Sequence, residues 1–181
     1  MRELKFDANL GFQLEAISAI TDIFKGQKVC RSNFSVRKPN VEDSFKLKAE
    51  TISDQNDDNK EESKPDVVAN DLTLSSEEIL ENVHAIQLKN GLEQSPADVV
   101  KTMNFSIWME TGTGKTYVYL RTVFELNKLY GWTKFIIVVP SIAIKEGVKS
   151  SLDLMKNHFE AQYNNVPFDY FMGISIYSRI N

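Results

Sequence analysis

The sequence predicts an α/β fold in which a parallel sheet is flanked by helices and carries a phosphate-binding loop at one strand end. Three observations support this. Residues 104–116 read as an apolar run, a glycine turn, Lys115-Thr116 and a helix start. Phe135-Ile136-Ile137-Val138-Val139 is an unbroken apolar run ended by Pro140. Amphipathic helical patterns follow both runs. An apolar run without alternation is the pattern of a strand buried on both faces, as in a parallel sheet. The order strand, helix, strand, helix, strand then predicts right-handed crossovers in a layered α/β lobe.

The elements follow in chain order. Residues 1–10 are short and mixed, an extended entry. From Phe12 to Phe24 the positions 13, 16, 17, 20, 23 and 24 have helical spacing, with Asp7 or Asn9 as N-cap and Gly26 as terminator. Val29 to Lys38 alternates loosely before Pro39, a short strand or a loop. Residues 41–66 hold nine acids against four lysines, and 54–66 offer nothing apolar to bury. The span 41–71 is therefore expected to be a mobile acidic insertion. A second helix begins near Ser75 or Ser76, with Glu78 placed for a capping box. Its apolar face is Ile79, Leu80, Val83 and Ile86, and Gly91 ends it. Pro96 to Met103 is a connector with room for a short helix. The strand 105–110 leads into a helix over 115–129 with Val118, Leu120, Val123, Phe124, Leu126 and Leu129 inward, closed by Gly131. A helix over 142–163 follows the run 135–139, and 168–177 reads as a further strand. The chain thus divides into 1–40, 41–71, 72–103 and 104–181.

The chemistry lies in Thr111-Gly112-Thr113-Gly114-Lys115-Thr116. Glycines let a backbone approach a phosphate without Cβ clashes. Amides of the turn and of the first helical turn converge as an anion nest. Lys115 would reach the β/γ-phosphates of ATP, and the Thr116 hydroxyl would ligate Mg²⁺. The usual pattern has a glycine five positions before Gly114; here Met109 stands there.

Composition narrows the class. The chain has 181 residues, 42% hydrophobic and 25% charged, with net charge −4. Such a balance is that of a globular domain and gives no basic nucleic-acid footprint. No apolar run approaches the ~20 residues that span a bilayer, and the N-terminus lacks an apolar signal core. A cytoplasmic protein without membrane contact is expected. Cys30 is the single cysteine, so no intrachain disulfide or cysteine zinc site can form. His84 and His158 lack partners at metal-ligand spacing and are expected at the surface or half-buried. Trp108 and Trp132 read as core or edge aromatics, and Glu77, Glu78 and Glu81 as a solvated helix start.

Several stretches line up with one family. They are Leu4-Lys5-Phe6-Asp7, Gln13-Leu14-Glu15-Ala16-Ile17, the loop Met109 to Tyr119, and Lys134 to Val148. Together they resemble the first RecA-like lobe of superfamily 2 helicases, which are P-loop NTPases, and more closely the Res subunit of type III restriction enzymes. Such motors tolerate a non-glycine where Met109 stands. The resemblance implies an ATP-dependent motor on double-stranded DNA, partnered by a modification methyltransferase subunit. It implies that Gln13 reads the adenine edge, a task a carboxamide suits because it both donates and accepts. Without the family pattern, Gln13 reads as a solvent-facing helix residue. Pro140 and Ser141 resemble a motif that touches the DNA backbone, although Ser141 equally suits a plain N-cap.

Two departures shape the expectation. The motors need an Asp-Glu pair after a later strand to organise hydrolysis, and no Asp-Glu dipeptide follows the loop. No second lobe or nuclease motif is recognisable. The chain therefore reads as an N-terminal fragment that binds ATP weakly and turns it over negligibly, with Lys115 its one catalytic candidate. Two rivals stand beside this reading. A P-loop phosphotransferase would want the first glycine and an arginine-bearing lid, but only Arg121 and Arg179 follow the loop. A degenerate nucleotide-binding module would need neither.

Overall fold

The computed structural model describes residues 6–29 and 70–173. Its elements are α1 (Gly11–Thr21), extended by a 3-10 turn (Asp22–Phe24), α2 (Ser76–Lys89), α3 (Val99–Thr102), α4 (Lys115–Tyr130) and α5 (Ile142–Gln162).

Helix positions agree closely with the sequence patterns, because each helix carries its own start and stop signals. At the N-terminus of α2 the Glu78 amide donates to Ser75 Oγ at 3.2 Å, while Glu78 Oε2 accepts from the Ser75 amide at 2.8 Å. Two otherwise orphaned amides are satisfied together. Ser75→Ala is expected to cost about 1 kcal/mol, read as a shift in the urea midpoint. Gly131 follows α4 as its C-cap. The start of α1 differs from expectation. Its N-cap is Leu10, with no side-chain cap, and Asp7 instead accepts from the Asn9 amide at 2.8 Å.

The expected parallel sheet is not found: among the described residues there is no strand. This corrects the α/β expectation at all three runs. Residues 104–110 and 131–139 are irregular and form no ladder. The described part of the third run, 168–173, is also irregular. Ile136 is 91% exposed, Val138 83% and Trp108 95%, whereas burial on both faces was expected for the run 135–139 and a core or edge place for Trp108. The physical reason is that a strand is a pairwise object. β-branched residues favour an extended backbone, but the ladder needs a neighbour in register. Near residue 134 a side chain takes that place. Asn70 Oδ1 accepts from the amides of Thr133 and Lys134, at 3.0 and 3.1 Å, and Asn70 Nδ2 donates to the Lys134 carbonyl at 2.6 Å.

The core is helical and has three parts. Tyr117, Leu120 and Phe124 of α4 meet Met155 and Phe159 of α5, with Tyr163 just beyond it. Ile23 meets Ile79, Val83 and Val100. Leu126, Tyr130 and Trp132 form the third part, with Phe24 and Phe135 packed on it. Of the inward face expected for α4, Val118, Leu120, Phe124 and Leu126 are buried, but Leu129 is exposed. The expected acidic insertion and the run after Val29 lie, apart from Asn70 and Asp71, outside the described residues. The segments flanking them are joined. Gln27 Nε2 donates to the Asp71 carbonyl at 3.0 Å, and Gln27 Oε1 accepts from the Thr73 amide at 2.9 Å. No helix among the described residues is long and apolar enough to cross a membrane.

Candidate functional site: the 111–116 loop and its buttress

The loop gets its shape from two glycines and one lysine. Gly112 has φ 84° and Gly114 φ 82°, a left-handed backbone that L side chains seldom adopt. Gly114 is also the N-cap of α4, with no side-chain cap bond. The first amides of α4 therefore face the loop without an internal side-chain acceptor, which is the donor arrangement an anion fits. Thr113 Oγ1 donates to the Glu110 carbonyl at 2.7 Å, and Lys115 Nζ donates to the same carbonyl at 2.6 Å. Lys115 thus curls over the loop and holds it closed on itself. Thr111, Gly112 and Lys115 are exposed, while Thr113, Gly114 and Thr116 are half-buried. An exposed ammonium, a left-handed glycine turn and uncapped helix amides form a donor set suited to a polyphosphate.

The structure brings Gln13 to this loop across 100 residues of sequence. Its Nε2 donates to the Thr113 carbonyl at 2.9 Å, and the residue is only 7% exposed. The solvent-facing alternative for Gln13 is thereby set aside. A Cβ placed on Gly114 would lie 2.7 Å from that Nε2, whereas one on Gly112 would meet nothing within 4 Å. Since the two glycines share nearly the same φ, Gly112→Ala and Gly114→Ala pay similar backbone strain, about 1–3 kcal/mol. Gly114→Ala is expected to lose more, and the excess should vanish in a Gln13→Ala background. Denaturation midpoints of the four variants measure it.

Ser141 is the N-cap of α5, accepting from the Ile144 amide at 3.3 Å. Pro140 and Ser141 are exposed at that helix start. His84 and His158 are half-buried, as expected, and both are engaged. His84 Nε2 faces the Ser95 carbonyl at 2.8 Å, so that nitrogen carries the proton. Trp132 is buried, with its indole N–H on the Asp71 carbonyl at 3.1 Å.

Behind the loop stands a polar cluster that reading the sequence missed. Tyr117, Arg121 and Glu125 lie four residues apart on α4 and face α5. Tyr117 Oη meets His158 Nε2 at 3.0 Å, and Tyr163 Oη donates to Glu125 Oε1 at 2.7 Å. Burial, with the nearby Arg121 charge second, pushes His158 below its ordinary value, which favours neutral imidazole. Burial and the hydrogen bond to Glu125 push the Tyr163 hydroxyl well above the usual tyrosine range. The available signal was the i,i+4 spacing of Tyr117, Arg121 and Glu125. It was obscured because the apolar stripe of the same helix explained the pattern already.

Comparison with known proteins points to one family. Residues 70–172 match the family described as type III restriction enzyme, res subunit. That span takes in α2 to α5 and the loop, but leaves Gln13 outside. The Res subunit of the type III restriction-modification enzyme EcoP15I from Escherichia coli is 42% identical over 96 residues, covering 51% of this chain and 10% of the relative. The EcoPI Res subunit of Escherichia phage P1 is 41% identical over 96 residues, with the same coverage. The StyLTI Res subunit of Salmonella typhimurium is 50% identical over 64 residues, covering 34% of this chain and 6% of the relative. The chain thus spans at most about 10% of the length of the curated relatives it matches. With more than half of its residues inside the family match, this chain belongs to the type III restriction enzyme Res subunit family.

Proposed function

We propose that this chain carries the ATP-binding part of a helicase-type restriction subunit, and that residues 111–116 hold the triphosphate. The observation behind the reading is the uncapped start of α4 behind the two left-handed glycines, with Lys115 spanning the gap. On binding, Lys115 exchanges the Glu110 carbonyl for phosphate oxygens. This replaces an ion–dipole contact with an ion–ion one, in which both donor and acceptor are charged. The backbone amides following Gly112 and Gly114 take the remaining oxygens, and Thr111 and Thr113 flank them. Thr116 is the residue to hold Mg²⁺, which offsets phosphate charge when bound. Gln13, whose Nε2 rests on the Thr113 carbonyl, is the residue proposed to read the base edge, and Pro140 and Ser141 are the candidates for a DNA phosphate.

In the whole protein this site would drive an ATP-dependent motor and nuclease on double-stranded DNA, alongside a modification methyltransferase subunit. The names of the relatives support that larger reading. For the 181 residues alone, nucleotide binding without efficient turnover is expected, since no Asp-Glu pair follows the loop. Equilibrium dialysis of the chain with radiolabelled ATP and Mg²⁺ tests the proposal. Saturable binding that depends on Lys115 supports it, and absence of binding at millimolar ATP rejects it.

A further inference from the structure

We propose that Arg121 is a positioning residue for nucleotide recognition: it anchors the turn ahead of α1 and thereby holds Gln13 on the loop. The inference rests on the nucleotide-binding reading above. Arg121 is six residues beyond Lys115 on α4 and only 7% exposed. Its Nη1 donates to the Ala8 carbonyl, 113 residues away in sequence, and lies 3.4 Å from the Tyr117 hydroxyl. Its Nε is 3.8 Å from Glu125 Oε1. With its oxygen turned toward the guanidinium, the Gln162 carboxamide accepts from Nη2 at 2.8 Å and from Nε at 3.2 Å. The guanidinium is thus held on α4 and by α5, and its free edge reaches the N-terminal segment.

Further contacts hold the same N-terminal segment beside that edge. Phe6 stacks on Tyr117, with centroids 6.3 Å apart and rings 6° from parallel, and tilts against His158 at 5.5 Å. Five residues after Ala8, Gln13 donates to the Thr113 carbonyl. The N-terminal segment is therefore tied to the loop through Gln13, to α4 through Arg121, and to the end of α4 through Tyr130, whose hydroxyl donates to the Thr21 carbonyl at 2.9 Å. The first tether uses a flexible side chain, which has no fixed place unless the backbone of α1 has one. The second, together with the packing of α1 on α4, supplies it. A planar fork with donors on several edges can serve the Ala8, Tyr117 and Gln162 oxygens together, whereas an ammonium is a point charge without that geometry.

The test uses the full 181-residue chain with Arg121→Met, Arg121→Lys and Gln13→Ala. Hydrogen exchange without nucleotide reads the anchor. Arg121→Met is expected to speed amide exchange over residues 9–14 about tenfold, with α2 unchanged, and Arg121→Lys to restore part of the protection. Equal acceleration in α2, or no change over 9–14, overturns the proposal. Binding of ATP and GTP reads the consequence. Arg121→Met is expected to reduce any ATP preference to the level of Gln13→Ala while leaving GTP affinity within about twofold, and the double variant to add nothing. A preference retained in Arg121→Met overturns the proposal. If the unsubstituted chain binds neither nucleotide, the nucleotide-binding reading fails and this positioning role fails with it; the exchange data then judge the anchor alone.

Discussion

Lys115→Ala is expected to weaken ATP binding by this chain roughly 10- to 150-fold, the range that corresponds to losing a charged hydrogen bond worth about 1.5–3 kcal/mol. The melting temperature should barely move. In the structure the ammonium is exposed and its partner is a backbone carbonyl of its own loop. Removing it therefore leaves no buried charge and opens no cavity, so the folded state has little to lose. The bound state loses its point charge on the triphosphate. Isothermal titration with ATP·Mg²⁺, paired with a thermal melt, separates the two effects. A variant that binds as well as the unsubstituted chain would remove the loop from nucleotide binding. Equal loss of binding and of melting temperature would place Lys115 in the fold instead.

The largest effect on stability is expected from Phe159→Ala, a loss of about 3–5 kcal/mol. Phe159 is fully buried, at 0% exposure. Its ring stacks on Phe124 with centroids 4.8 Å apart and on Tyr117 at 5.7 Å, and tilts against Tyr163 at 6.4 Å. Truncation removes both the burial of the ring and the contacts of its aromatic neighbours, which are held by α4 and α5 and cannot collapse into the space. Trp108→Ala is the matched control. Its side chain is larger, yet it is 95% exposed, so a change within about 0.5 kcal/mol is expected. Guanidinium denaturation of the two variants compares them. A comparable loss at Trp108 would show that the exposed apolar runs are packed in solution.

The helices and the loop were legible in the sequence because their signals are local. Ser75 and Glu78 lie three apart, Gly131 ends a 3.6-residue apolar pattern, and the loop's glycines and Lys115 lie within six residues. Hydrogen bonds inside a helix and charges around a short turn depend on near neighbours alone, so spacing suffices to place them. The family resemblance is likewise carried by short contiguous runs, and the match over residues 70–172 agrees with it.

What tertiary structure decided is whatever depends on partners far along the chain. The runs 105–110 and 135–139 have strand composition, but composition supplies no ladder. Among the described residues they form no ladder, and Asn70 is bonded to the backbone of residues 133–134. Gln13 carries the same carboxamide whether it faces solvent or a loop 100 residues away; only the packing of α1 on α4 puts it on Thr113. Arg121 reads in sequence as one more helical cation, and the fold makes it a buried tether to Ala8. The sequence by itself determined the helices, the glycine turn ahead of α4 and the family, since each is written in neighbouring residues. The burial of Gln13 and Arg121, and the absence of a ladder in the described runs, were decided by tertiary structure, because a long-range contact belongs to two segments at once and neither encodes it alone.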